Sequence, residues 1–96
     1  MPKHKHTSCH ELFQALLTMR TSEEMSRFCR DLLSKHEIEE LSRRWQVACM
    51  LAHKVSYTEI EQQTGLSSAT IAKISHWLKR GLGGYKLAIK RLKSRS

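Results

Sequence analysis

No acidic residue follows Glu61, although eight lysines and arginines do. The chain has one proline and four glycines in 96 residues, which argues against long irregular linkers and favours an all-helical protein. Its three cysteines, Cys9, Cys29 and Cys49, form no CxxC pair and cannot make a complete disulfide set. Ordinary thiols in a reducing, cytoplasmic setting are therefore expected. No apolar run approaches the roughly 20 residues of a membrane span, and no secretory signal opens the chain. No cofactor-binding loop is present, and no cysteine, serine or acid has an evident base partner. Neither an enzyme nor a cofactor is expected.

What is abundant is positive charge. Seventeen basic residues stand against nine acidic ones, a formal net charge of +8. Residues 1–55 carry nine basic and seven acidic side chains, a net +2; residues 56–96 carry eight and two, a net +6. A soluble surface mixes both signs. A basic half is the electrostatic footprint of a polyanion binder.

That half opens with SYTEIEQQTGLSSATIAKISHWLK, residues 56–79, which reads as two short helices joined by a tight turn. Ser56 and Glu59 have capping-box spacing, and Tyr57 and Ile60 follow on one helical face. Gly65 falls where a left-handed residue closes a helix. Leu66 fits the elbow, and Ser67 or Ser68 caps the second helix. Ile71, Ile74, Trp77 and Leu78 form that helix's apolar stripe, leaving Ser68, Ala69, Ala72, Lys73 and His76 on the open face. A slim front and an apolar back suit a helix that enters the major groove of DNA. An ordinary αα-hairpin shares these features, and the charge distribution decides for DNA.

Residues 1–8 read as a disordered, basic, histidine-containing tail. His4, His6, Cys9 and His10 are potential metal ligands without a paired spacing, so no metal site is expected. Ser8 and Glu11 open a first helix, about Cys9 to Arg20, with Leu12, Phe13, Leu16 and Leu17 apolar. Thr21 and Glu24 start a second, to about Ser34, with Met25, Phe28, Cys29, Leu32 and Leu33 inward. Ser34 and Glu37 start the third, about Glu37 to His53, with Ile38, Leu41, Trp45, Ala48, Leu51 and Ala52 on one face. Three helices with almost no connecting loop suggest that a second copy buries part of each face. Past Gly81, Gly83 and Gly84, a basic helix from about Tyr85 to Lys93 closes the chain.

The blocks EIEELSRRWQVACML and YTEIEQQTGLSSATIAKI, in this order and at this separation, resemble the Trp repressor superfamily, and its YerC/YecD-type branch most closely. The likeness covers about residues 9–92. It implies an all-α, intertwined homodimer with a helix-turn-helix at about 56–80, inside one DNA-binding and dimerisation domain over 9–93. By position it implies DNA contacts from Thr58, Ser68, Ala69, Ala72 and Lys73. Ser67, His76, Lys79 and Arg80, polar or basic groups of the same helix, complete the expected contact set. Arg43 or Arg44 falls where the Trp repressor stacks an arginine on its corepressor, and Lys73 where the other clamping arginine stands. Ile74 replaces a glycine and Trp77 a small serine in that pocket. The resemblance thus implies a vestigial pocket, filled by Ile74, that does not take tryptophan. Many helix-turn-helix proteins have a small residue in place of Glu61, which here must point outward or find a basic partner.

The expected function is that of a sequence-specific transcriptional regulator, a repressor, binding double-stranded DNA as a homodimer without a membrane partner. The alternative is a dimeric adaptor that keeps the fold without reading sequence. The scarcity of Arg, Asn and Gln on the open face favours that second reading.

Overall fold

The computed structural model describes residues 9–95. The expected tail, with His4, His6 and the Ser8 cap, lies outside them. The described residues form six α-helices and no strand: α1 (Cys9–Leu17), α2 (Ser22–Leu32), α3 (Lys35–Ala52), α4 (Tyr57–Thr64), α5 (Ser68–Arg80) and α6 (Gly84–Ser94). The chain divides into two compact units, Met1–Ile38 and Glu39–Ser96, with the division falling inside α3.

In the first unit, capping chemistry sets the helix ends. α1 stops at Leu17 rather than running to Arg20. The Thr18 hydroxyl donates to the Ala15 carbonyl at 2.7 Å, and the Arg20 N–H donates to the Glu24 carboxylate at 2.8 Å. Arg20 thereby belongs to the start of α2, where the Thr21 hydroxyl accepts from the Glu24 N–H at 3.1 Å. α2 ends two residues earlier than expected because Leu33 turns extended, at φ −118° and ψ 151°. Ser34 then caps α3 through a fully reciprocal box. Its N–H donates to the Glu37 carboxylate at 2.8 Å, and its hydroxyl accepts from the Glu37 N–H at 3.1 Å. The Ser34 backbone N–H first, and then the Ser34 side chain, hold the Glu37 carboxyl below its ordinary value, because hydrogen bonds donated to a carboxylate favour its charged form and weaken on protonation. α1 and α2 bury no residue, and Phe13 and Leu17 remain 55% and 83% exposed.

The second unit carries the core. Val47 and Ala48 from α3, Ile60 from α4, and Ile71 and Ile74 from α5 are fully or almost fully buried together. Met50, Leu51, Val55, Leu66 and Tyr85 pack around them. Val47, absent from the expected α3 stripe, is therefore central, whereas Leu41 and Ala52 are exposed. α3 ends in a Schellman turn: the Lys54 N–H donates to Leu51 O at 3.0 Å and the Val55 N–H to Met50 O at 3.0 Å. Lys54 occupies the left-handed position of that turn with φ 62°. Val55 and Met50, the two ends of the wider bond, both pack on the core, which closes the turn from its apolar side.

Candidate nucleic-acid interface

α4 begins at Ser56, whose hydroxyl accepts from the Glu59 N–H at 3.2 Å. The Glu59 carboxylate instead accepts from Gln63 Nε2, one turn along, at 3.2 Å. Gly65 ends α4 in the left-handed conformation, φ 74°, with its N–H donated to Glu61 O at 2.8 Å. The Thr64 hydroxyl ties the turn from both sides. It donates to Ile60 O at 2.7 Å and accepts from the Leu66 N–H at 3.2 Å. Sequence reasoning did not single out Thr64; its place directly before a closing glycine was the available signal. Ser67, not Ser68, caps α5, accepting from the Thr70 N–H at 3.2 Å. Glu61 is exposed, so it leaves the packing of this turn undisturbed.

α5 has one buried side and one open side. Ile71, Ile74, Ser75 and Leu78 face inward. Ser68, Ala69, Ala72, Lys73, His76, Lys79 and Arg80 are exposed, as are Ser67 in the turn and Thr58 on α4. All nine expected contact residues thus lie at the surface of the α4–turn–α5 segment. Trp77 departs from expectation: it is 46% exposed rather than part of the buried stripe, and Ser75 takes the inward place.

Two contacts hold α6 in this unit. At the far end of α5, Gly81 donates its N–H to Trp77 O at 2.9 Å. A Cβ on Gly81 would collide with that same carbonyl, so only glycine closes the helix this tightly. Lys86 Nζ donates to Lys79 O at 3.2 Å, placing a cation at the negative end of α5. Tyr85 stacks on Trp45 with centroids 6.4 Å apart, which fastens α6 to α3.

Two concavities border α5. The first, about 280 Å³, lies between α3 and α5 and is lined by Glu40, Arg43, Arg44, Leu66, Thr70, Lys73, Ile74 and Trp77. It gathers all five residues expected at a vestigial ligand pocket and adds Glu40, a carboxylate that sequence reasoning passed over although it stands one helical turn before Arg43 and Arg44. Ile74 does not fill it. That side chain is drawn into the core, 1% exposed, and the space beside it stays open. The second, about 450 Å³ and shallow, lies on the outer side of α5, among Ala69, Ala72, Lys73, His76 and Trp77. Among the described residues no group of three or more His, Cys, Asp or Glu could hold a metal ion, and no helix is long and apolar enough to cross a membrane.

Comparison with known proteins agrees with this geometry. The Trp repressor protein family matches residues 7–93. Protein YerC of Bacillus subtilis (strain 168) is 39% identical over 83 residues, which cover 86% of this chain and 80% of YerC. The crystal structure of a TrpR-like protein from Eubacterium eligens ATCC 27750 superposes with a TM-score of 0.85 at 36% identity, covering 93% of this chain and 92% of that one. A crystal structure from Staphylococcus aureus gives a TM-score of 0.82 at 39% identity, over 88% and 85% of the two chains.

Proposed function

The chain belongs to the Trp repressor protein family, and from that premise we propose that it is a sequence-specific DNA-binding transcriptional regulator, a repressor acting as a homodimer in the cytoplasm. The two-sided character of α5 carries this reading. Ile71, Ile74 and Leu78 anchor one side in the core, while the other presents small, polar and basic groups to solvent. An inserted helix needs such a front, and the basic residues around it neutralise phosphates. Thr58, Ser67, Ser68, Ala69, Ala72, Lys73, His76, Lys79 and Arg80 form the contact surface.

Dimerisation is supported by the apolar faces of α1 and α2, which bury no residue and leave Leu12, Phe13, Leu17 and Leu32 exposed. Such faces are stable in water when another chain covers them. Two-fold symmetry then gives pseudo-palindromic operators, with half-sites about 34–36 Å apart or a multiple of that. Tryptophan is not the effector. Trp77 already lines the α3–α5 cavity with the chain's own indole, and Lys73 cannot stack flat on a ligand ring as an arginine does.

Selection of binding sites from random duplexes, followed by gel-shift, tests the reading. An enriched, two-fold-symmetric motif supports it. A protein that enriches nothing is an adaptor that keeps the fold without reading sequence, the reading favoured by the scarcity of Arg, Asn and Gln on the outer side of α5, where Arg80 stands only at the helix end.

A further inference from the structure

We propose that the outer concavity of α5 recognises the C5 methyl group of a thymine in the major groove. The inference rests on the DNA-binding reading above and adds the chemistry by which one base is chosen. Ala69 and Ala72 stand one turn apart and both are exposed. With Lys73, His76 and Trp77 they enclose a shallow space of about 450 Å³. Neither alanine side chain offers a hydrogen bond, so neither can read the ring nitrogens, carbonyls or amino groups of a base edge. The one feature of the major groove that an apolar surface can recognise is the thymine methyl.

Trp77 supplies a second, independent reason. Its indole is 46% exposed on a helix whose other large apolar side chains are buried. An aromatic surface left in water beside two alanines gains free energy when an apolar group covers it. The charge around the concavity says what brings that group. Lys73, Lys79 and Arg80 lie on the same helix, and no acidic residue follows Glu61. A polyanionic duplex is complementary to such a surface; an apolar peptide or a basic protein is not. A thymine methyl set against Ala69, Ala72 and the indole would leave Lys73 and His76 at the rim, facing phosphate or the neighbouring base. Cytosine at that position lacks the methyl and presents a polar amine to the apolar floor, so T·A is preferred over C·G.

The test uses the full-length protein and the duplex its own selection enriches. Each thymine is replaced in turn by deoxyuridine, which deletes the methyl and leaves every hydrogen-bonding group in place. One thymine per half-site should prove sensitive, its replacement weakening binding about fourfold, and roughly fifteenfold when both half-sites are changed. Ala69→Ser and Ala72→Ser are exposed, conservative changes, and at least one should bring the thymine-to-uracil ratio down towards one. If DNA is bound but no deoxyuridine matters, or the enriched site has no thymine, the methyl inference fails while DNA reading stands. If both serine variants keep the full ratio, the methyl lies elsewhere and the assignment to this concavity is overturned. If no duplex is enriched at all, the DNA-binding reading itself is wrong and this inference falls with it.

Discussion

Lys54 and Gly65 bracket α4, and both adopt the left-handed conformation, with φ of 62° and 74°. For an L-residue that conformation costs about 1–2 kcal/mol, whereas glycine enters it freely. Lys54→Gly removes the cost. It returns about 0.4–1 kcal/mol through the greater freedom of glycine in the unfolded chain. The bonds that close the turn run from backbone N–H groups to Leu51 O and Met50 O, so they survive the substitution. The net expectation is stabilisation by about 0.5–1 kcal/mol, which raises the melting midpoint of a domain this size by about 2–8 °C. Gly65→Ala is the mirror experiment. A Cβ there meets nothing within 4 Å, so the change adds conformational strain without a clash. A loss of about the same 0.5–1 kcal/mol is expected, and the double variant should melt close to the parent. Melting is followed by circular dichroism at one fixed protein concentration, since an associating chain has a concentration-dependent midpoint. A lower midpoint for Lys54→Gly, or a higher one for Gly65→Ala, would refute the strain argument.

Four further outcomes are expected. Glu37 has its carboxyl held below the ordinary glutamate value by its bonds to Ser34; this stabilisation is complete above the unfolded value and is lost as pH falls through the folded one. Glu37→Gln should therefore flatten the acid limb of a stability–pH curve, and an unchanged limb assigns acid sensitivity to other groups. DNA affinity should fall steeply with salt, at a log–log slope of about −0.9 per neutralised phosphate. Lys73→Ala should either lower that slope by about 1 on every sequence or cost about 1–3 kcal/mol only at sites carrying one particular base; unchanged affinity for all DNA removes Lys73 from the surface. L-tryptophan should bind neither measurably in calorimetry nor so as to tighten the gel-shifted complex, whereas micromolar binding with tighter DNA association would overturn the reading of the α3–α5 cavity.

Element order and type were legible because capping residues mark most helix starts in this chain. Thr21, Ser34, Ser56 and Ser67 each accept from the N–H three residues on. The ends were less legible. α1 and α2 stop short because Arg20 and Ser34 are claimed by the cap of the following helix, and a residue with two local options gives no periodic signal. The left-handed Lys54 was hidden for the opposite reason: the Schellman turn that ends α3 has its geometry and its apolar closure but not the glycine that usually announces it.

The misplaced tryptophan shows where periodicity and hydrophobicity part company. Ile71, Ile74, Ser75 and Leu78 stand at i, i+3, i+4 and i+7, a regular helical stripe with a serine at one of its inward places. Trp77 lies roughly 110° round the helix from the centre of that stripe, at about 100° per residue. Its size argued for burial while its phase argued against, and the phase prevailed. The same phase puts Trp77 and Lys73 on the border of both concavities, one towards Arg43 and Arg44 on α3 and one along Ala69 and Ala72. Replacing Ile74 alters the core and one cavity wall together, so its effects on stability and binding cannot be separated. Trp77 contributes little to the core, and its replacement reports on the surface. Trp77→Ala should keep the fold yet lower the affinity for thymine-containing duplex towards that for its uracil counterpart. A variant that melts with a large loss of stability would instead return Trp77 to the structural role its size suggested.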